Sequence, residues 1–150
     1  MAQRWFKGNL HTHTTNSDGD APPGDVVAWY RDAGYDFLAL TDHDLLTLPD
    51  DHRAVAGSME LIRGEEVSAG DIHVNGLGIH RAVAPIIAPT ERMTLDANAA
   101  SIREAGGVPS INHPNFRWAL RTTDIAPLGI VALFEVHNAA PETNGGGRPG

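Results

Sequence analysis

Apolar positions along the chain form short runs separated by amphipathic or polar stretches. Continuous runs such as Phe37–Leu40 are typical of strands buried on both faces. The periodic spacing of Leu95, Ala99 and Ile102 is typical of a helix with one buried face, for which Thr94 is the expected N-cap. The pattern predicts strands over residues 6–14, 37–40, 59–63, 72–79, 108–112 and 130–136. It predicts helices over residues 26–33, 50–56 and 94–105, with glycine stops after the first and the last.

The order of these elements predicts the fold class. Strands that alternate with helices favour an α/β fold built on a parallel sheet or barrel. The chain of 150 residues is long enough for one domain with its own core, and it contains no internal repeat. We therefore expect a single domain over residues 1–150, in which the glycine-rich residues 139–150 form a flexible tail or mark a truncation point.

Composition and charge narrow the classes of function. The chain has 11 Lys and Arg residues and 19 Asp and Glu residues, and this excess of acidic residues disfavours an extended nucleic-acid-binding face. No apolar run approaches the ~18 residues of a membrane span. The first residues lack the apolar core of a signal peptide, so we expect a cytoplasmic protein that does not bind a membrane. Because the chain has no cysteine, any metal ion must be held by histidine and carboxylate side chains.

Histidine and carboxylate side chains, which can bind a metal ion, occur where several of the predicted strands end. Because the carboxyl ends of strands in parallel α/β folds share one face, these side chains are expected to converge. A single histidine at a strand end is more often a polar cap than a ligand, and a lone His-x-His is weak support for a metal site. The recurrence along the chain is harder to explain as capping. The side chains concerned are His11, His13, Asp42, His43, Glu66 and His113.

The His-x-His pair has a geometric meaning. Residues i and i+2 of an extended segment project to the same side, so His11 and His13 can reach one ion together. Imidazole and carboxylate ligands suit zinc, manganese and iron. Asp18 can reach a neighbouring ion from beyond a turn, and the two oxygens of Glu66 can bridge two ions. The sequence therefore predicts a site for more than one metal ion.

Five segments of the chain occur in the order seen in one known family. They are HTHTTNSDG, LTDHD, GEE, DIHVNGLGI and INHP, at residues 11–19, 40–44, 64–66, 71–79 and 111–114. The sequence resembles PHP-domain (polymerase and histidinol phosphatase) metal-dependent hydrolases, and is most similar to the CehA/McbA-like branch. The resemblance implies a distorted (β/α)7 barrel of PHP type and two or three divalent metal ions, Zn, Mn or Fe.

The same resemblance implies a role for each matching position. Glu66 would bridge two ions, and Asp42 would orient a ligand imidazole. Glu65, which precedes the matching position, would lie behind the ligands or in solvent. The implied ligands are His11, His13 and Glu66 for one ion, Glu66, His73 and His113 for a second, and Asp18 and His43 for a third.

One family motif is missing from the chain. The family's last motif is an Asp-x-His that follows a Gly-Ser-like turn, and no segment here matches it. We therefore expect the N-terminal portion of a longer, incomplete barrel. The alternative is that another segment or a partner completes the site.

The expected activity follows from the metal site. Paired divalent ions generate hydroxide at neutral pH and neutralise phosphoryl oxygens. The resemblance implies phosphate esters as the usual substrate class, so we expect a phosphoesterase acting on a small phosphorylated or nucleotide-like substrate. Arg117 is the best-placed phosphate clamp, although a solvated loop arginine is an equal interpretation. Trp118 could stack on the substrate or cover the core. His137, with Glu135 two residues before it, could line the pocket and act as a general acid.

Two other functions remain open from the sequence. A carbamate or carboxylic ester hydrolase of CehA/McbA type would use the same ligands. A non-catalytic, metal-stabilised PHP module is the third possibility, and the presence of every ligand that the chain reaches argues against it.

Overall fold

The computed structural model describes residues 3–126, 129, 131 and 133–139. Within them, six strands form one sheet in the order β1-β2-β3-β4-β5-β6. The strands are β1 Gly8–Asn9, β2 Phe37–Leu40, β3 Glu60–Ala69, β4 Ile72–Leu77, β5 Val108–Ile111 and β6 Leu133–Phe134. The helices are α1 Pro23–Asp32, α2 Arg53–Ala56, α3 Glu91–Glu104 and α4 Thr122–Ile125, with 3-10 turns at Pro49–His52 and Phe116–Trp118.

The sheet is mixed, which corrects the expectation of a parallel one. Strands β1, β2 and β3 pair in parallel, and so do β5 and β6, whereas β4 is antiparallel to both of its neighbours. Ala69 pairs with Ile72, so only Gly70 and Asp71 connect β3 to β4. A parallel connection needs a dozen or more residues, and a two-residue connection allows only a hairpin. The described sheet is a curled half-barrel, and the seven-stranded barrel stays a prediction.

Helices cover the outer face of the sheet at two places. Val27 of α1 packs with Leu38 and Leu40 of β2 in one buried cluster. Leu95 and Ile102 of α3 pack against the antiparallel half in a second cluster, together with Val67, Val74 and Ile111. The helix face predicted from the spacing of apolar residues in α3 is therefore confirmed. The inner face is left to the polar side chains described below.

The start of α3 differs from the prediction. The helix begins at Glu91, and its N-cap is Thr90, whose side chain accepts a hydrogen bond from the backbone N–H of Met93. Thr94 is buried inside the first turns, and its hydroxyl accepts a hydrogen bond from Ala88 N–H. Both threonines precede an apolar repeat, so the pattern alone did not separate them.

Parts of two predictions fall outside the described residues. Residues 130 and 132 of the sixth predicted strand are not described, and neither are residues 140–150 of the predicted tail. In the described chain, no helix has the length and apolar character that crossing a membrane requires.

Candidate metal centre

Glu66 occupies the middle of the candidate site because β3 is longer than the sequence pattern indicates. The predicted third strand stops at Arg63, but β3 runs on to Ala69 through its pairing with β4. Adjacent residues of a strand face opposite sides of the sheet, so Glu65 and Glu66 point in opposite directions. Glu66 faces the polar inner surface, whereas Glu65 faces the core.

The position of Glu65 corrects one expectation from the sequence. Its side chain is fully buried, neither in solvent nor beside the ligands, and one carboxyl oxygen accepts the backbone N–H of Val83. The other oxygen has no hydrogen-bond partner among the residues that the structure describes. Burial raises the pKa of Glu65 above its usual value, more than the Val83 hydrogen bond lowers it.

Five imidazoles surround the buried carboxylate of Glu66, whose side chain is 1% exposed. Asn112 also donates a hydrogen bond to Oε1 at 2.7 Å. The imidazole nitrogens nearest Oε2 belong to His13 at 3.0 Å, His43 at 3.2 Å and His11 at 3.4 Å, and those nearest Oε1 belong to His73 and His113, each at 3.2 Å.

Asp18 completes the group on the side that is open to solvent. Its carboxylate oxygens lie 2.9 Å from His13 Nδ1 and 3.5 Å from His43 Nε2. The structure therefore brings together all seven side chains that the sequence singled out as metal ligands, although they come from segments more than a hundred residues apart.

The residues present fit a metal cluster. Glu66 Oε2, His73 Nδ1 and His113 Nδ1 are buried and have no hydrogen-bond partner among the described residues. Oε2 lies within 3.4 Å of three imidazole nitrogens, yet none of these contacts has hydrogen-bond geometry. Buried polar atoms without partners cost free energy unless something else binds them. Buried nitrogen and oxygen atoms that converge and include unpaired positions suit Zn, Mn or Fe ions.

Three groups of ligand atoms are close enough to share an ion, because the atoms of each group lie within 4.8 Å of one another. The groups are His11, His13 and Glu66; His13, Asp18 and His43; and His43, Glu66 and His73. Glu66 belongs to two of them. His43 joins Glu66 as well as Asp18, which differs from the partition that the resemblance implies.

The charges in the cluster shift one another's pKa values. Burial alone would raise the pKa of Glu66, but the surrounding imidazoles outweigh it and hold that pKa well below its usual range. Burial would lower the pKa of His11, yet Glu135 and Glu66 raise it to about 9. Burial also lowers the pKa of His73, but the carboxylate of Glu66 outweighs it and the pKa is raised. At His43 the effect of burial is larger than that of Glu66, so the pKa is lowered.

Asp42 acts on the loop between His13 and Asp18, and its expected role in orienting a ligand imidazole stays a prediction. Its buried carboxylate accepts hydrogen bonds from the backbone N–H and hydroxyl of Thr14 and from the hydroxyls of Ser17 and Thr47. Asp42 therefore fixes the turn between His13 and Asp18, and its influence on the site passes through that turn.

The end of β6 supplies two polar side chains to the site. Glu135 Oε1 lies 3.0 Å from His11 Nδ1, and Asn138 donates to both carboxylate oxygens of Glu135 at 3.1 Å. His137 is exposed and is not among the residues that line the cavity. Strand alternation would put His137 on the side of Glu135, but β6 ends at Phe134 and the chain bends at Val136. The geometry therefore does not support His137 as the general acid.

Sequence reasoning did not single out Asn138, and it placed Glu135 only beside His137. The available signal was similar to the one used for the ligands: a carboxylate close to the end of the predicted sixth strand.

A cavity of about 720 Å³ opens over the cluster. Tyr30, Phe116 and Arg117 line it together with the ligands and Asn138. The Phe116 ring packs 5.6 Å from the His73 ring and 5.2 Å from the His113 ring, centroid to centroid. Arg117 is largely exposed and pairs with Asp71 at 3.1 Å. Trp118 does not line this cavity but a neighbouring one, next to Arg121.

Known proteins share this fold. No family model matches the chain. A two-domain protein of Bacteroides vulgatus, said to contain a predicted PHP-like metal-dependent phosphoesterase, superposes with a TM-score of 0.62 at 22% identity over 87% of this chain and 44% of that one. A Bifidobacterium adolescentis protein predicted to be a metal-dependent phosphoesterase gives a TM-score of 0.68 at 15% identity, over 91% of this chain and 80% of that one. The fold is PHP-like.

Similarity in sequence covers a smaller part of this chain than similarity in fold. A 5'-3' exoribonuclease of Haemophilus influenzae is 36% identical over an 81-residue alignment that covers 50% of this chain and 30% of that protein. The chain thus spans less than half the length of the exoribonuclease and of the two-domain protein. The assignment to the CehA/McbA-like branch stays a prediction.

Proposed function

We propose that this chain forms the metal site of a metal-dependent phosphoesterase that acts on a small phosphorylated or nucleotide-like substrate. The observation that carries the proposal is the buried Glu66 carboxylate, with an oxygen that lies among three imidazoles without a hydrogen bond to any of them. The proposed cofactors are two or three Zn, Mn or Fe ions, held by His11, His13, Asp18, His43, Glu66, His73 and His113.

The chemistry is divided between the ions and the side chains. Bound divalent ions would supply a nucleophile at neutral pH and offset the charge of the phosphoryl oxygens. The side chains set where the reaction takes place. Glu66 fixes the separation of the ligand groups because it belongs to two of them. Asp42 keeps Asp18 within reach of His13 and His43 through the turn that it holds.

Phosphate is favoured over an uncharged ester by the charge at the mouth of the cavity. Arg117 lines the cavity, and its guanidinium group can exchange its exposed ion pair with Asp71 for a bidentate bond to phosphate. The similar proteins point the same way, since their descriptions name phosphoesterases and an exoribonuclease. The acidic balance of the chain favours a mononucleotide or the end of a polynucleotide over a long nucleic-acid track.

A carbamate or carboxylic ester hydrolase is the second candidate. It is favoured by the aromatic side chains Tyr30 and Phe116 in the cavity wall, which suit an uncharged substrate.

The test combines metal analysis with matched substrates. We expect two or more equivalents of metal by elemental analysis. With added Mn²⁺ or Zn²⁺, we expect turnover of p-nitrophenyl phosphate, or of p-nitrophenyl thymidine phosphate as a diester, and not of p-nitrophenyl acetate. Turnover of the acetate alone would establish the ester hydrolase. Metal binding without turnover of any of these substrates would favour a non-catalytic module.

Arg117→Ala tests the phosphate clamp. It should raise KM for the phosphate ester about tenfold or more, because a hydrogen bond to a charged group contributes about 1.5–3 kcal/mol. Arg81→Ala is the matched control, since Arg81 is exposed and does not line the cavity. An equal effect of both variants would remove Arg117 from the proposed binding site.

A further inference from the structure

Glu135 is a half-buried carboxylate at the edge of the cluster that none of the predicted ligand groups includes. It directly follows β6, and its backbone N–H donates to the carbonyl of Ile111 at 2.8 Å, which continues the parallel pairing of β5 with β6. The backbone of Glu135 is therefore anchored to the sheet, and its side chain reaches the cluster from a fixed position.

The carboxylate of Glu135 holds two of the histidines at once. Oε1 lies 3.0 Å from His11 Nδ1, and Oε2 accepts the backbone N–H of His113 at 2.8 Å. Asn138 donates to both oxygens, so the carboxylate is held in its orientation as well. His11 follows β1 and His113 follows β5, so one side chain connects ligands from opposite halves of the sheet.

The contact with His11 selects which ring nitrogen faces the cluster. A carboxylate cannot donate a hydrogen bond, so His11 Nδ1 carries the proton that they share. The other nitrogen, Nε2, then has its lone pair free for an ion. It points into the cluster, 3.0 Å from His13 Nε2 and 3.4 Å from Glu66 Oε2. This is the arrangement by which a carboxylate behind a ligand histidine fixes its tautomer and strengthens metal binding.

We infer that Glu135 is a positioning residue of the metal centre, which sets the tautomer of His11 and the placement of His113 without itself binding an ion. The inference rests on the proposed metal site and extends it by a residue that the ligand pattern does not contain.

The test measures zinc binding directly. Wild type, Glu135→Ala and Glu135→Gln are titrated against a chromophoric zinc chelator, and bound zinc is counted by elemental analysis. Glu135→Ala should bind zinc about 10–100-fold more weakly, the usual effect of removing such a partner, with the number of ions unchanged. Glu135→Gln should be weakened less, because its amide oxygen still accepts a hydrogen bond from His11. Glu104→Gln, at the exposed end of α3, is the control and should match wild type.

A second measurement separates positioning from general destabilisation. Long-range ¹H–¹⁵N spectra of the zinc-loaded wild type should show His11 protonated at Nδ1 and bound through Nε2. In Glu135→Ala, the shifts of the His11 ring nitrogens should move, while those of exposed His80 should not. Unfolding in EDTA identifies any variant that does not fold, and Glu135→Gln decides the question if Glu135→Ala is such a variant.

The possible failures are distinguishable. Zinc affinities of both Glu135 variants within twofold of wild type would overturn the inference and leave the metal site standing. The loss of one whole equivalent of zinc in Glu135→Ala, with the remaining affinity unchanged, would make Glu135 a ligand and also overturn it. A wild-type protein that binds no zinc, manganese or iron would overturn the proposed function itself.

Discussion

The stability of the metal-free protein should depend on pH through His11. In the folded chain, burial lowers the pKa of His11, but Glu135 and Glu66 outweigh it and raise that pKa from 6.5 to about 9. Between these two values the folded state binds a proton that the unfolded state has lost. Stability therefore decreases as the pH rises through this window. The contribution of His11 is fully present below about pH 6.5 and is lost above about pH 9.

The magnitude follows from the two pKa values. Since each pKa unit corresponds to about 1.4 kcal/mol, a rise from 6.5 to about 9 corresponds to about 3 kcal/mol of unfolding free energy. The His11 side chain is only 11% exposed, so solvent screens these contacts little. Other groups titrate over the same range, and a comparison with His11→Asn removes their contribution.

The assay is urea unfolding in EDTA at pH 6 and pH 9.5. We expect wild type to be more stable than His11→Asn at pH 6 and to lose about 3 kcal/mol of that advantage at pH 9.5. His80→Asn, which changes an exposed histidine outside the cluster, should show no such dependence. An advantage over His11→Asn that stays constant or grows with pH would refute the assignment of a bound proton to His11.

Three further substitutions test the surroundings of the site. Gly19→Ala should destabilise the protein by about 1–3 kcal/mol in urea unfolding, because a Cβ there would lie 2.6 Å from the carbonyl group of His13; unchanged stability would contradict this tight approach. Asp42→Asn should lower the free energy of unfolding by about 1.5–3 kcal/mol, because its hydrogen bonds lose the carboxylate charge, and it should weaken zinc binding. Normal zinc affinity would show that the turn does not depend on Asp42. Glu65→Gln should gain stability relative to wild type as the pH rises above the usual pKa of a glutamate, because burial raises the pKa of Glu65 in the folded state and wild type then loses stability. A stability difference that does not depend on pH would count against a raised pKa of Glu65.

The sequence allowed the assembly of the site to be predicted better than the shape of the sheet. Histidine and carboxylate residues at successive strand ends were expected to converge, and the seven side chains do lie together. Strong local signals also placed α1 and α3, because each combines an apolar face with a glycine in a left-handed conformation after its end, Gly34 and Gly106.

The remaining features depend on pairing between distant residues, which a local pattern does not record. Apolar character ends at Arg63, but β3 continues to Ala69 because β4 supplies hydrogen-bond partners. The roles of Glu65 and Glu66 were assigned from motif spacing, and the burial of Glu65 depends on Val83, eighteen positions away. Asp42 could not be matched to its hydroxyl partners for the same reason.

The bond between His11 and Glu135 joins residues that are 124 positions apart. During synthesis at ~5–20 residues per second, His11 leaves the ribosome many seconds before Glu135 is made. Over that interval the nascent chain carries most of its histidine ligands without the carboxylate that orients the first of them. We therefore expect the proposed metal centre to be completed late in synthesis, after β6 has paired with β5.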